Sequence, residues 1–424
     1  MTLTPARPTA PPAADTWPGL TLVPSGTRNV VAAPVARALF TAAVKRLDVT
    51  VHIGDGGPAL GRGGPEMTVH RPDEMFARIG RDGLIGFGEA FLTGAWDAPD
   101  LAGFLTVLAE RMATLVPEPL QKLRKLVSLR PPSKHRPTED NSQDNIAHHY
   151  DLSNELFALF LDPTMSYSSG LFEPGLRAPL DLAEAQERKI ERLLDCTGVT
   201  AGSRVLEIGT GWGELAIRAA RRGAHVTSIT LSVEQQQLAR DRVTAAGFSD
   251  QVSVELRDYR TLGQSPEQFD AVVSVEMIEA VGAEFWPSYF STIDQVLAPG
   301  GRVGIQAITM PHDRMLATQG SYTWINKYIF PGGFLPSVDA IEDVTRTHTS
   351  LRVTDRLSFG KHYAETLRQW DDSFMGAVEK VHALGFDETF VRMWHFYLEY
   401  SRAGFASGYL DVAQLILTRP EEQS

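Results

Sequence analysis

The second half of the chain contains short apolar runs, rich in β-branched residues, that alternate with helical apolar spacing. Each run is flanked by glycine or polar residues, which is typical of a doubly wound α/β sheet. The predicted strands are Arg204–Ile208, His225–Ile229, Val252–Leu256, Phe269–Val275, Arg302–Ala307, Leu351–Leu357 and Ala413–Leu417. Two helices rich in aromatic residues, Tyr363–Leu384 and Thr389–Phe405, are predicted between the last two strands. The pattern therefore predicts a seven-stranded sheet with helical insertions.

The first part of the chain has a different pattern, which predicts a separate organisation. Residues 1–26 carry six prolines with alanine and threonine and are predicted to be a disordered tail. Residues 27–118 combine short strands and small helices, so we predict a smaller N-terminal α+β accessory domain there. Residues 119–140 form a predicted basic linker, and residues 141–424 form the large domain.

The linker has an unusual charge for this protein. It contains six Lys or Arg residues and no acidic residue between Glu118 and Glu139, although the net charge of the chain is −12. Such a patch could bind anionic lipid headgroups, each basic residue contributing about 1 kcal/mol near the surface. It could equally be a solvated connection between domains, and the sequence leaves both interpretations open.

Composition limits the class of protein. The hydrophobic fraction of 43% and the charged fraction of 22% are those of a globular protein with a sizeable core. Cys196 is the single cysteine, which excludes an internal disulfide framework and fits a reducing cytosol. The chain shows no signal-peptide pattern and no apolar run of about 18 residues. The negative charge argues against a nucleic-acid partner. From the single cysteine and the N-terminal pattern we expect a cytoplasmic protein.

The first predicted strand of the large domain ends in three closely spaced glycines, Gly209, Gly211 and Gly213, and a helical pattern follows at once. A dinucleotide fingerprint that starts at Gly209 would need glycine at the position of Glu214. A dehydrogenase would also carry an acid after its second strand, where this chain has polar and apolar residues at 230–232. The E-x-G-x-G-x-G pattern instead looks like the first motif of S-adenosylmethionine (SAM) methyltransferases. We predict a SAM site without a metal; a glycine turn that binds no ligand is the structural alternative.

Longer segments of the chain resemble one family, the cyclopropane-fatty-acyl-phospholipid synthases and mycolic acid cyclopropane synthases. These segments are HYDLSNELF, LDPTMSYSS, EIGTGWGELA, SITLSVEQQQLAR, DYRTL, EMIEAVG, WINKYIFPGGFLPS and FYLEYSRAGFASGYLDVAQLILTR. The N-terminal GLIGFGEAFLTGAWDAPDL is similar to the extra domain of the phospholipid-acting members. The resemblance covers nearly the full chain after about residue 70. It implies a class I SAM-methyltransferase fold, a doubly wound sheet of seven strands whose last pair is antiparallel.

The resemblance also implies which residues contact SAM. The glycines would cradle it, Glu207 would support its methionine end, and Ser232 would lie on its ribose side. The implied contacts are Tyr167, Ser168, Glu207, Gly209, Gly211, Gly213, Thr230, Ser232, Gln235, Asp258 and Tyr259. Ser232 and Gln235 also have the spacing of a helix capping box, and Asp258 also fits a turn at the end of a strand.

Transfer of a methyl group to an alkene leaves a cation on the acyl chain, and a base must then remove a proton from it. For this base, the resemblance implies a bound bicarbonate held near a cysteine, a glutamate, a histidine and a tyrosine. Glu279 matches the glutamate and Tyr363 matches the tyrosine. Ser169 stands at the cysteine position and Gln306 at the histidine position, while the usual EHVG motif reads EAVG with Ala280. A serine presents the same backbone N–H, whereas glutamine cannot change charge as histidine can. The fate of the cationic intermediate is therefore expected to differ.

The substrate implied by the resemblance, an acyl chain, requires an apolar slot. Withdrawing ten methylenes from lipid into water would cost about 8 kcal/mol at about 0.8 kcal/mol per methylene. Aromatic residues could line the slot, although at helical spacing they equally fit an ordinary core. The candidates are Phe330, Phe334, Phe359, Phe374, Trp394, Phe396 and Phe405.

Our leading hypothesis is SAM-dependent methylation of the double bond of an unsaturated fatty acyl chain in a phospholipid. The altered pair Ser169 and Gln306 favours a methylene-branched product, which a separate reductase could convert to a methyl branch. Cyclopropane formation on the same substrate is the alternative. Methylation of a small molecule at oxygen or nitrogen, and lipid binding without catalysis, are further alternatives. We expect peripheral contact with the inner face of the cell membrane, and a homodimer is left open.

Overall fold

The computed structural model describes residues 4–8, 11–54, 56–111, 153–175, 177, 180–264 and 266–420. The helices are α1 (Thr27–Val44), α2 (Pro72–Asp82), α3 (Leu84–Leu92), α4 (Leu101–Glu110), α5 (Asn154–Ala158), α6 (Leu182–Cys196), α7 (Glu214–Arg221), α8 (Val233–Ala245), α9 (Ile278–Val281), α10 (Trp286–Val296), α11 (His312–Thr318), α12 (Trp324–Tyr328), α13 (Val338–His348), α14 (Gly360–Gly376), α15 (Val378–Ala383) and α16 (Glu388–Ala406). The strands are β1 (Thr50–Ile53), β2 (Leu60–Gly61), β3 (Glu66–Val69), β4 (Trp96–Asp97), β5 (Arg204–Ile208), β6 (His225–Thr230), β7 (Val252–Leu256), β8 (Phe269–Val275), β9 (Leu297–Thr309), β10 (Arg352–Ser358) and β11 (Asp411–Thr418). Short 3₁₀ helices are formed by Tyr259–Gln264 and Ala283–Phe285.

The described residues fall into two compact units. The first unit lies within Met1–Arg130, Gly320–Ile329 and Leu367–Tyr409, and the second takes the rest of the chain. In the first unit the strands pair in the order β2-β1-β3-β4, with β1 and β3 parallel. The side chain of Trp96 is fully buried and stacks on Phe87, with ring centroids 4.4 Å apart.

The helix α16 belongs to this first unit. Its Arg392 is fully buried, donates to Asp97 Oδ1 at 2.5 Å and donates to the carbonyl of Phe91 at 2.8 Å. Its buried Glu399 accepts from the backbone N–H of Ala102 at 3.2 Å. A buried charge is tolerated only where it is paired, so these partners tie α16 to the N-terminal segment. The sequence pattern assigned this helix to the domain at 141–424, because an amphipathic pattern does not show which segment covers the apolar face.

The N-terminal tail also differs from its prediction. The described residues between 11 and 26 make defined contacts with the first unit: Leu20 is buried, and Trp17 Nε1 donates to Asp387 Oδ2 at 2.8 Å. Arg78 Nη2 donates to the carbonyl of Leu20 at 2.7 Å. The predicted basic linker at 119–140 lies outside the described residues.

The second unit contains the predicted sheet. Within the described residues it has seven strands in the order β10-β11-β9-β8-β5-β6-β7, and β11 is antiparallel to both of its neighbours. The five neighbouring strands β9, β8, β5, β6 and β7 are parallel and largely buried, as expected for apolar runs covered by helices. The predicted fold class is confirmed. Because β5 lies between β6 and β8, the carboxyl ends of these three strands share one edge of the sheet. No helix among the described residues is both long enough and apolar enough to cross a bilayer.

Candidate active site

The glycine turn after β5 leaves backbone open at that edge. Gly211 has a φ of 51°, a conformation that side chains rarely adopt, and a Cβ built on it would have no neighbour within 4 Å. A Cβ on Gly209 would instead stand 2.5 Å from Met277 Cγ. The turn therefore packs tightly against the residues after β8 and remains accessible at Gly211, as a ligand cradle requires.

Glu207 lies inside this edge with unused hydrogen-bonding capacity. Ser228 Oγ donates to its Oε2 at 2.5 Å, while Oε1 has no hydrogen-bond partner within the described part of the chain. Burial raises the pKa of Glu207 to about 8, because no cation offsets the desolvation of the carboxylate. A ligand ammonium would supply this missing positive charge. The residue therefore fits the methionine end of SAM.

The end of β6 carries the next three predicted SAM contacts. Ser232 Oγ accepts from the N–H of Gln235 at 3.1 Å, so the predicted helix cap is confirmed. The reciprocal half of the capping box is wrong, because Gln235 Oε1 accepts from the Thr230 hydroxyl at 2.9 Å. Thr230 and Gln235 are thereby held side by side at the carboxyl end of the strand.

Asp258 and Tyr259 follow β7, beside the same edge. Asp258 accepts from the backbone N–H of Arg260 at 2.9 Å and forms an ion pair with its guanidinium. Tyr259 packs edge-on against Tyr289, with ring centroids 5.3 Å apart. Asp258 thus has the turn geometry expected at a strand end, which is compatible with a ligand contact.

The segment before the sheet reaches the glycine turn through aromatic contacts. Tyr167 packs edge-on against Phe157 at 5.2 Å, and Phe157 packs against Trp212 at 5.0 Å between ring centroids. Trp212 follows Gly211 in the glycine turn and donates through Nε1 to Asn154 Oδ1 at 2.8 Å. The structure therefore places Tyr167 beside the glycine turn, and its contact with SAM stays a prediction.

Three of the four predicted catalytic residues converge on a carboxylate that the sequence motifs did not single out, Glu276. The backbone N–H of Ser169 donates to Glu276 Oε1 at 3.0 Å, and Gln306 Nε2 donates to the same oxygen at 2.8 Å. The Tyr363 hydroxyl donates to Glu276 Oε2 at 2.7 Å. Burial raises the pKa of Glu276, and these three donors oppose the shift.

The fourth predicted residue, Glu279, makes different contacts. Its Oε1 accepts from the backbone N–H of Ile308 at 2.5 Å, and its Oε2 has no hydrogen-bond partner within the described residues. Burial, and then the nearby charge of Glu276, raise the pKa of Glu279 to about 8. A carboxyl group in this environment stays protonated near neutral pH. Its catalytic role stays a prediction.

Glu276 had one signal in the sequence. It directly follows Phe269–Val275, a predicted strand, so its carboxylate stands at the edge where ligands bind in such sheets. The second missed group is Lys189 on α6, which is buried and donates to Ser168 Oγ at 2.6 Å. A lysine within a helical pattern predicts a solvated face, and nothing local marks it as buried.

The two expected ligands fare differently against these residues. The open backbone at Gly211 and the unpaired oxygen of Glu207 fit SAM. Of the four groups expected to hold bicarbonate, Ser169, Gln306 and Tyr363 donate to Glu276, and Glu279 is the fourth. Because a resident carboxylate already engages three of the four, the site does not fit a bicarbonate ion.

The aromatic candidates for an acyl slot are divided between the two units. The side chains of Phe374, Trp394, Phe396 and Phe405 are buried in the first unit. In the second unit, Phe334 stacks on Trp286, with ring centroids 5.8 Å apart. The first group has the burial of ordinary core residues, the alternative stated for them above.

Comparison with known proteins gives relatives over most of the chain. A family model described as mycolic acid cyclopropane synthetase matches residues 137–415. The tuberculostearic acid methyltransferase of Mycobacterium tuberculosis is 53% identical over 412 residues, which is 96% of each chain. The cyclopropane-fatty-acyl-phospholipid synthase of Escherichia coli K12 is 32% identical over 362 residues, or 84% of this chain and 88% of the relative. Among solved structures, mycolic acid cyclopropane synthase complexed with S-adenosylhomocysteine and CTAB is 30% identical with a TM-score of 0.59, covering 65% of this chain and 97% of that one.

These matches confirm the resemblance found in the sequence motifs. The family model covers the methyltransferase sheet, and the relative at 53% identity also covers the N-terminal segment. The S-adenosylhomocysteine in the solved relative agrees with the predicted cofactor class, since that molecule is SAM after loss of its methyl group. The predicted class of enzyme, a SAM-dependent methyltransferase, is confirmed by the same relatives. The chain belongs to the mycolic acid cyclopropane synthetase family.

Proposed function

We propose that this protein transfers the methyl group of SAM to the double bond of an unsaturated fatty acyl chain in a phospholipid, and that the product is a methylene-branched fatty acid. One observation carries the proposal: a carboxylate and the SAM cradle stand at the ends of neighbouring strands. Met277, next to Glu276, packs directly on Gly209 of the cradle. A base beside the methyl donor is the arrangement that alkene methylation requires.

SAM, when bound, supplies a methyl group on a positively charged sulfur, which is electrophilic enough for an isolated alkene. Glu207 orients its methionine end through Oε1, and the open turn at Gly211 lets the backbone approach it closely. Methylation leaves a positive charge on the acyl chain. The surrounding residues must exclude water from this cation and remove one proton from it. Ser169 and Gln306 are both fully buried, which fits the exclusion of water.

A methylene branch is favoured over a ring by the nature of the relatives and of the site. The relative at 53% identity is named for tuberculostearic acid, a methyl-branched fatty acid. A hydride shift followed by proton loss from the new methyl group gives an exomethylene branch, and a separate reductase would then give the methyl branch. The glutamine at 306, unlike a histidine at that position, cannot gain or lose a proton.

Cyclopropane formation is the second candidate, since a relative at 32% identity carries that name. The two products are isomers, so mass alone does not separate them. We propose that either reaction takes place at the inner face of the cell membrane. The basic segment 119–140 would bind anionic lipid there, and liposome binding should then weaken with added salt.

The test is lipid NMR after expression in a bacterium whose membrane contains oleate. Vinylidene proton signals are expected, and ring protons upfield of the methyl signals would favour the cyclopropane product instead. Purified protein should also convert SAM to S-adenosylhomocysteine only when unsaturated phospholipid vesicles are present. Turnover with a small polar acceptor but not with vesicles, or no turnover with either, would reject the proposed substrate.

A further inference from the structure

We propose that Glu276 is the base of this reaction, and that its Oε2 takes the proton from the methylated acyl chain. The proposal rests on the function proposed above. A resident carboxylate would then do the work for which the sequence resemblance implies a bound bicarbonate. Four observations support it: the direction of the hydrogen bonds, the free capacity of Oε2, the backbone conformation, and the use by Glu276 of three groups expected to hold bicarbonate.

The direction of the hydrogen bonds around Glu276 is set by Arg192, through the side-chain amides of Gln414 and Gln306. Arg192 can only donate, and its Nη1 lies 2.7 Å from Gln414 Oε1. Gln414 must therefore turn its Nε2 to Gln306 Oε1, at 3.1 Å. Gln306 in turn presents its Nε2 to Glu276 Oε1. The chain of amides thus delivers an N–H at this position, and the group that receives it must be an acceptor.

The two oxygens of Glu276 are consequently not equivalent. Oε1 accepts from two groups that can only donate in this orientation, the backbone N–H of Ser169 and Nε2 of Gln306. Oε2 accepts only from the Tyr363 hydroxyl within the described residues, which leaves it one lone pair. A hydroxyl can either donate or accept, so Tyr363 can stay bonded to Oε2 after a proton arrives there. Oε2 is therefore the oxygen equipped to gain and lose a proton.

The backbone at Glu276 is in an unfavourable conformation for any residue with a Cβ. Its φ is 52°, in the left-handed region, and glycine would be favoured there by about 1 kcal/mol. Strained conformations of this kind are concentrated at functional sites. Here the conformation places a carboxylate among three converging donors.

The proton transfer balances without any further reagent. The electron pair of one C–H bond on the new methyl group becomes the second bond of the methylene, and the proton moves to Glu276 Oε2. The acyl chain returns to neutral and Glu276 becomes a carboxylic acid. The carboxyl group then releases the proton to solvent before the next turnover. Burial raises the pKa of Glu276, which makes its carboxylate a stronger base than an exposed one.

The test compares two glutamates with the same substitution. Glu276→Gln keeps the size of the side chain and its contact with the Ser169 N–H but removes the base, so kcat should fall by at least about 100-fold. Glu284→Gln, on the exposed turn eight residues away, should leave kcat unchanged. SAM affinity, measured by calorimetry, should stay within about threefold in both variants.

A second variant asks what the space would hold without the carboxylate. Glu276→Gly suits the left-handed backbone and leaves the three donors without an acceptor. Bicarbonate should restore at least about tenfold activity to this variant and should not change the rate of the wild type. ¹³C NMR of labelled bicarbonate, titrated with protein, should show saturable binding to Glu276→Gly only.

The outcomes separate this inference from the proposed function. Wild-type protein that is inactive on unsaturated phospholipid would overturn both. An active wild type with an equally active Glu276→Gln variant would overturn the inference alone. Saturable binding of bicarbonate to the wild type, or loss of its activity in carbonate-free buffer, would do the same.

Discussion

The ammonium nitrogen of Lys189 lies 2.6 Å from Ser168 Oγ, and both side chains are buried. Ser168 is a predicted SAM contact, and Lys189 also interacts electrostatically with Glu276. Burial lowers the pKa of Lys189 to about 8, although nearby carboxylates act in the opposite direction. The buried lysine therefore connects Ser168, on the predicted cofactor side of the site, with Glu276. The free-energy cost of burying its charge depends on pH.

Replacing Lys189 with methionine should remove a specific part of the pH dependence of stability. The pKa of a lysine is ordinarily 10.5, and that of Lys189 in the fold is about 8, so the unfolded chain binds more protons between these values. The free energy of unfolding of the wild type should therefore rise relative to Lys189→Met by about 1 kcal/mol per pH unit across this window. Urea unfolding at pH 7.5, 8.5 and 9.5 measures it. Lys361→Met, at an exposed position, is the control, and a difference that is constant with pH would contradict the assignment.

The cradle can be tested by a matched pair of glycines. Gly211 and Gly247 both have positive φ, and a Cβ on either would meet nothing within 4 Å. Alanine at each should cost about 1 kcal/mol of stability for the same backbone reason. Only Gly211→Ala should weaken SAM binding, by at least about tenfold, because the added methyl group would occupy the ligand's space. Calorimetry with both variants decides this, and equal affinities would remove Gly211 from the cradle.

The pattern of apolar residues predicted the sheet well because parallel strands buried on both faces leave a local signal. The bounds of Arg204–Ile208, Val252–Leu256 and Phe269–Val275 agree with the structure at both ends. The longer predicted helix Tyr363–Leu384 is instead two helices that part after Gly376, a residue that favours a helix end.

The base and the unit boundary could not be read in the same way, because their signals are not local. Glu276 meets Ser169, Gln306 and Tyr363 from three other segments of the chain. Its selection over Glu279 depends on which carboxylate faces those donors, and both lie within one short motif. The partners of Arg392 are likewise remote in sequence, so the membership of α16 emerged only from the fold.

Glu279 should make the protein less stable as the pH rises. The pKa of a glutamate is ordinarily 4.5, and that of Glu279 in the fold is about 8, so the folded chain holds the extra proton between these values. The stability that this protonated carboxyl contributes is complete below about 4.5 and is lost as the pH rises through 8. Glu279→Gln resembles the protonated form, so it should gain on the wild type by about 1 kcal/mol per pH unit between pH 5 and 8.

Urea unfolding of Glu279→Gln at pH 5, 6.5 and 8 measures this gain, with Glu284→Gln as the exposed control. Turnover measured on the same samples tests the separate prediction that Glu279 is catalytic. A gain that does not change with pH would mean that Glu279 is ionised in the fold.

The Tyr363 hydroxyl should tune the base without being essential to it. It donates to the ionised form of Glu276 at 2.7 Å, so Tyr363→Phe should destabilise that form and raise the pKa of Glu276. The loss of a charge-assisted hydrogen bond worth about 1.5 kcal/mol corresponds to a rise of about one unit in the pKa of Glu276. The acidic limb of the kcat profile should therefore move to higher pH by about one unit, with a plateau lowered by no more than about tenfold. Tyr409→Phe is the control, and an acidic limb that stays in place in Tyr363→Phe would separate this hydroxyl from the proton transfer.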